Sequence, residues 1–322
     1  MIVTKYAAVL LGTVQSVHAW GALGHATVAY IAQYYSLPNT ACWAQNILKD
    51  YSTDYLAINA SWPDDYDHSV AGRWSGVLHF IDAHDCPPTV CKNKPTCCKV
   101  DYDRDCKSQG CVISAIVNYT HRVNDPKLDD EQIREALLFL VHFLGDATQP
   151  LHNEDIAQGG NSIHVKFNGK SVNLHSTWDT SIPEAIIGGH QHLLPSAQVW
   201  AQTLIDAIDN TDGIYHLLSA GWIQGDTTSN VKDSVLRWSS EANALVCTVV
   251  MPNGPDVLKV GDLYPVYFDS VKDTVSLQIA RAGYRLANWL NMLAPPCCKE
   301  GGSICVDAPS YQKPISFYQE EL

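Results

Sequence analysis

The sequence predicts an all-α protein: one mainly helical domain with a single small β-hairpin and several disulfides. Three observations carry this. Six segments, residues 20–36, 40–49, 131–148, 196–209, 231–251 and 270–293, place apolar residues at helical spacing. Only one stretch alternates as a strand pair. The 11 cysteines gather mainly in an aperiodic loop region and near the end of the chain.

The chain opens MIVTKYAAVLLGTVQSVHA. Lys5 gives a basic start, Ala7 to Val17 is mostly apolar, and Val17 and Ala19 stand where a signal peptidase reads. Residues 1–19 therefore read as a secretory signal, too short to span a membrane. Cleavage after Ala19 makes Trp20 the N-terminus and predicts a secreted protein. No later run is apolar enough for a membrane helix. The helix near 130–148 has the clearest limits, with Asp130 and Glu131 in its first turn and Pro150 just past its end. The hairpin is read from Ile163–Phe167, the turn Asn168-Gly169, and Lys170–Leu174; Asn-Gly between alternating runs is a strong hairpin signal. Residues 81–112 read as a disulfide-pinned loop. Pro295-Pro296 closes the last helix, and 294–322 reads as an irregular tail. The expected partition is signal 1–19, catalytic domain 20–293 and tail 294–322.

Formal net charge is −13 and becomes more negative once Lys5 leaves. A long polyanion cannot be held by such a surface in general, so any anionic substrate needs positive charge concentrated at one place. Bound metal ions supply that. In a secreted chain the cysteines favour disulfides over metal thiolates. Their odd number leaves at least one thiol unpaired within the chain. Asn59-Ala-Ser and Asn118-Tyr-Thr are glycosylation sequons.

One stretch concentrates metal-binding chemistry. HFLGD, QPLH and HSTWD contain His142, Asp146, His152, His175 and Asp179. Residues four apart on a helix share a face, so each His-x3-Asp pair can aim an imidazole and a carboxylate at one ion. A single pair is more often a solvated helix face; two pairs with a His between them are not. Upstream, His25, Asp64 in SWPD and His79 in LHFID extend the set, and the freed amine and carbonyl of Trp20 can chelate together. Nine nitrogen and oxygen donors exceed one tetrahedral zinc and suit three ions, with Asp146 as a bridge between two of them. Such a cluster fits hydrolysis of phosphate esters. His68, His84, His121, His164, His190, His192 and His216 fit no ligand pattern and read as surface or core residues.

The segments WGALGHATVAYIAQYYS, LHFIDA, VDYDRDC, NYT, LVHFLGDATQPLH, GGN, NLHSTWDT and GYRLANWL together resemble the zinc-dependent single-strand nucleases of fungi and plants, the S-one/P-one nuclease family. The resemblance spans roughly residues 20–293. It implies the helical fold of zinc phospholipase C and these nucleases, with three zinc ions per chain. Asp64, His79, His142 and Asp146 would hold one zinc of a close pair. Trp20, His25 and Asp146 would hold the other, and His152, His175 and Asp179 the third. It implies Asp64 and Asp146 as the catalytic carboxylates and a metal-bridged water as nucleophile. Phe80 would stack a nucleobase, Asp82 would bond its edge, and Asn161 would line the same pocket. Disulfide roles fall on Cys98, Cys247, Cys106 and Cys111. The implied activity is secreted endonuclease action on single-stranded RNA and DNA, giving 5′-phosphates, with 3′-nucleotidase activity and a monomeric chain. Two departures are Asp67, where family members often carry Arg or Lys, and Lys170, in place of an aromatic. Phospholipase-type action on another phosphoester, or a zinc-binding interaction protein with a weakened site, are the competing readings; Phe80 and Asp82 favour the nuclease.

Overall fold

The computed structural model describes residues 20–86, 98–189, 192–300 and 302–305. The expected signal segment, Cys91, Cys97, His190 and the tail beyond 305 lie outside these residues.

The core is built on helix α1 (Gly21–Tyr35), which is buried on nearly every side from Leu23 to Ala32. A helix apolar all round belongs at the centre of a bundle, not on its surface. It packs against two later helices, α6 (Leu193–Asp209) and α8 (Val266–Leu293). Between them in sequence come α2 (Pro38–Leu48), the short α3 (Trp62–Asp67), α4 (Val112–Arg122), α5 (Asp130–Asp146) and α7 (Val231–Leu245). All six expected helices are present. The sequence reading left out α4, although Val112, Ile113, Ile116 and Tyr119 mark its buried face.

The close approach of α1 and α8 depends on Gly283. A Cβ there would lie 2.5 Å from Ile31 Cβ and 2.9 Å from the Val28 carbonyl oxygen. Neither neighbour is a flexible side-chain end, so the helices would have to separate. Gly283→Ala is expected to cost about 1–3 kcal/mol as an overpacking change. A melting curve checks this, at roughly 2–4 °C per kcal/mol for a chain of this size; an unchanged Tm would mean the crossing can relax.

Helix α5 starts on a reciprocal cap: Asp129 accepts from the Gln132 N–H, and the Gln132 side chain accepts from the Asp129 N–H. From Ala136 onward every residue of α5 is buried, so its C-terminal turns run into the interior. The hairpin forms as expected, β1 (His164–Phe167) antiparallel to β2 (Lys170–Asn173), with Asn168 and Gly169 at positive φ in the turn. The first described part of the tail is not irregular: β3 (Cys297–Glu300) pairs antiparallel with β4 (Gly302–Cys305). Cys98–Cys247 and Cys106–Cys111 are both disulfides, and Cys42 is disulfide-bonded as well. Cys98–Cys247 ties the end of the Cys-rich loop to the turn after α7, across 149 residues of sequence.

Candidate metal centre

Six separate segments bring the candidate ligands to one buried place. His142 and Asp146 project from the last turns of α5, and His25 from the second turn of α1. Asp64 sits in the first turn of α3, behind Pro63. His79 ends a 3₁₀ turn (Arg73–Leu78), and His152 lies in another (Pro150–Asn153). The hairpin runs directly into Leu174–Ser176, which carries His175. Asp179 follows on a π-helical turn (Thr177–Ser181), the kind of irregularity that concentrates at functional sites. The second His-x3-Asp pair is therefore not on a regular α-helix, yet it still closes: His175 Nε2 is 3.2 Å from Asp179 Oδ2.

The side chains fall into three groups: His25, His142 and Asp146; Asp64, His79 and His142; and His152, His175 and Asp179. Asp146 joins the first two. Its Oδ1 is 3.2 Å from His25 Nε2, and its Oδ2 is 3.1 Å from His79 Nδ1. His142 Nε2 stands 3.2 Å from Asp64 Oδ1 and 3.1 Å from His79 Nδ1. In the third group His152 Nε2 and His175 Nε2 are 3.1 Å apart. Two imidazole nitrogens facing each other at that distance, away from water, suit a shared cation.

Backbone carbonyls set which nitrogen faces inward. His142 Nδ1 donates to the Ala60 carbonyl at 2.8 Å, His152 Nδ1 to the His79 carbonyl at 2.8 Å, and His175 Nδ1 to the Gly159 carbonyl at 2.6 Å. Each bond anchors Nδ1 on a carbonyl and turns Nε2 toward the cluster, the arrangement that orients metal-binding histidines. Gly159 can do this only as glycine: its φ is +57° and a Cβ would lie 2.6 Å from the Leu151 carbonyl oxygen. Gln149 completes the third group, its Nε2 donating to Asp179 Oδ1 at 2.5 Å. Sequence reasoning missed Gln149, Gly159 and Ala60 as supports. The first two sit inside TQPLH and GGN, but nothing local reveals which distant atom they touch.

The electrostatics match a site built for cations. Burial lowers the His25 ring to about 4 and the His175 ring to about 3, and it also lowers His152. These imidazoles are neutral at physiological pH, as metal ligation requires. Burial also pulls His142 down, but Asp146 and Asp64 outweigh it and raise this ring to about 9. Burial drives the Asp179 carboxyl well above the usual range. Both ring nitrogens of His25, His79 Nε2 and Asp146 Oδ1 are buried without a hydrogen bond. Each such atom costs on the order of 1–3 kcal/mol unless something satisfies it. A set of imidazoles and carboxylates left this way fits zinc.

Trp20 is fully buried. Its indole N–H is shared by the Gly145 carbonyl and Thr148 Oγ1, both at 3.1 Å. On the next residue, a Cβ at Gly21 would lie 2.9 Å from the Asp179 carbonyl oxygen. The Trp20–Gly21 backbone is thus wedged between the segment that carries Asp146 and the one that carries Asp179.

Phe80, Asp82 and His84 line one face of the segment leaving His79. The alternate residues Ile81 and Ala83 are buried, while Phe80 and Asp82 are half-buried and His84 is exposed. The Ile81 N–H donates to the His152 carbonyl at 2.8 Å, fixing this face to the third group. Burial, then Asp155, raises the Asp82 carboxyl. Asn161, two residues beyond Gly159, is half-buried and donates to the Gln158 carbonyl at 2.9 Å. Asp67 turns its carboxylate toward Gly76 and lies 3.8 Å from His68 Nδ1. Lys170 is exposed at the start of β2. Of the sequons, Asn118 is exposed on α4, whereas Asn59 is half-buried and its amide donates to the Tyr55 carbonyl.

Comparison with known proteins agrees with this geometry. The family described as S1/P1 Nuclease matches residues 20–295. The chain is 57% identical over 272 residues to nuclease PA3 of a Penicillium species, covering 84% of this chain and 97% of that one. It is equally similar to nuclease P1 of Penicillium citrinum, at 57% over the same extent. Nuclease S1 of Aspergillus oryzae is 42% identical over 287 residues, 89% of this chain and 96% of its own. The match begins at Trp20 and takes in all three His/Asp groups, and so the chain belongs to the S1/P1 nuclease family.

Proposed function

We propose that the protein is a secreted zinc-dependent endonuclease. It hydrolyses phosphodiester bonds of single-stranded RNA and DNA to 5′-phosphate products, and removes the phosphate from 3′-nucleotides. The observation that carries this reading is the convergence of eight buried His and Asp side chains into three groups in a chain of this family. Three zinc ions are assigned to them. Asp64, His79, His142 and Asp146 hold one; Asp146, His25 and the amine and carbonyl of Trp20 hold a second; His152, His175 and Asp179 hold the third. The Trp20 amine becomes available once residues 1–19 are removed. When bound, zinc neutralises phosphate charge and lowers the pKa of water.

The protein's own groups do the rest. Asp64 and Asp146 are the catalytic carboxylates, and the carbonyls of Ala60, His79 and Gly159 hold the imidazoles in register. Phe80 offers a ring face to an unpaired base, with Asp82 and Asn161 at its edge. Every exposed base has a face that can stack, whereas a base within a duplex is already stacked and cannot enter. No helix among the described residues is long and apolar enough to cross a membrane.

The test is metal content with activity on the processed chain. Three zinc equivalents and faster cleavage of denatured than of duplex DNA are expected. Chelation should abolish activity and lower Tm, because metal affinity is linked to folding. Zinc-loaded protein inactive on single-stranded DNA, RNA and 3′-AMP would overturn the reading.

A further inference from the structure

Beyond the metal groups, three residues from different segments form an ordered chain at the end of the Phe80–Asp82 face. Lys107 Nζ lies 2.5 Å from His84 Nε2, and His84 Nδ1 lies 2.8 Å from Asp155 Oδ2. The partners decide the proton positions. An ammonium can only donate, so His84 Nε2 accepts; the Asp155 carboxylate can only accept, so Nδ1 donates. The ring is thus a neutral connector. It aligns Lys107 without cancelling its charge through direct contact with a carboxylate.

The backbone fixes all three. The His84 N–H donates to Asp105 Oδ1 at 3.1 Å, and the Asp155 N–H to the Ala83 carbonyl at 3.4 Å. Lys107 follows Cys106, one end of the tight Cys106–Cys111 disulfide loop, whose cysteines are 5 apart in sequence. The nearby Arg104 is no alternative cation, since its Nε and Nη2 both bond the Asp105 carboxylate, at 2.6 and 2.8 Å. Lys107 lies close enough to Asp82 to act on its ionisation. Lys107 itself is exposed.

We propose that Lys107, aligned by His84 and Asp155, is a subsite for a backbone phosphate adjoining the nucleotide held at Phe80 and Asp82. This rests on the nucleotide-pocket reading above. Outward from the metal groups the order is His79, Phe80, Asp82, then His84 with Lys107. A strand whose scissile phosphate is at the metals and whose base lies on Phe80 carries its next phosphate outward along that row. One ammonium hydrogen serves His84 and two remain for the phosphate. In a chain of net charge −13, an aligned lysine beside the pocket supplies locally what the general surface does not. A 3′-mononucleotide has no second phosphate to reach it, so the subsite favours strands over mononucleotides.

The experiment compares Lys107→Ala and Lys107→Arg with the unaltered, zinc-loaded, processed chain on a thymidine decanucleotide and on 3′-AMP. Lys107→Ala is expected to lower kcat/KM about tenfold on the decanucleotide and less than twofold on 3′-AMP. The slope of log KM against log salt should fall by about 0.7, one phosphate contact on a single strand. Lys107→Arg should restore most of the loss. Equal losses on both substrates, or none on either, would overturn the subsite. Phe80→Ala separates the two readings. If it leaves 3′-AMP hydrolysis unchanged, the base pocket falls, while the substrate-selective loss and the salt slope at Lys107 still decide the phosphate contact.

Discussion

Asp146→Asn is expected to remove two zinc ions together and to reduce hydrolysis of single-stranded DNA by about 10³-fold or more, on the order of 4 kcal/mol of transition-state stabilisation. The reason is geometric. One oxygen of this carboxylate faces His25 and the other faces His79, at 3.2 and 3.1 Å. An amide keeps the shape but has one weakly basic oxygen, and its NH₂ would point at an imidazole nitrogen or a cation. It also withdraws the negative charge that, with Asp64, keeps the buried His142 ring raised to about 9. Zinc content measured on folded protein should drop from three equivalents to one, with the third group still filled. A drop to two would show that Asp146 does not bridge. Retention of three with activity lost would separate its catalytic role from metal binding. Circular dichroism and Tm keep the interpretation clear of unfolding.

The site was legible in the sequence to the extent that its spacing is local. His142 and Asp146 lie one turn apart on α5, and simple helix geometry brings them to a common face. His175 and Asp179 have the same spacing and also meet, although the backbone between them forms a π turn. An Asn-Gly turn indicated the hairpin that delivers this pair. What local pattern does not encode is which distant carbonyl anchors each ring. Ala60 lies 82 residues from His142, and His79 lies 73 from His152. The Gln149–Asp179 bond is equally nonlocal. His84 shows the same boundary from the other side. Alone it read as a surface or core histidine outside any ligand pattern; between Lys107 and Asp155 it becomes a connector. Helix α4 escaped notice because it begins against Cys111, at the edge of a Cys-rich stretch without periodicity. The tail hairpin lies where the Lys, Glu and Gly of CCKEGGSIC carry little strand propensity.

A chain that retains even one residue before Trp20 should lose most of its activity, by about 10²-fold or more. The argument begins with Trp20 itself. Its indole is held at 3.1 Å by both the Gly145 carbonyl and Thr148 Oγ1. Gly21 is pressed against the Asp179 turn. The backbone nitrogen therefore cannot move aside to admit a different ligand. As a terminal amine, with an ordinary pKa near 8, it deprotonates readily beside a cation and coordinates through its lone pair. As a peptide nitrogen it has no lone pair to give, and the ion shared with His25 and Asp146 loses a donor. A single Gly placed before Trp20 makes this change with almost no added bulk. Zinc should fall from three equivalents to two, and protease removal of the Gly should restore both zinc and activity. Recovery on trimming distinguishes a lost ligand from a misfolded chain. Full activity with the Gly in place would remove Trp20 from the metal centre and leave His25 and Asp146 as the protein donors to that ion. If the expected result is found, export and activation are one event, because the ligand set is incomplete until residues 1–19 have been cut away.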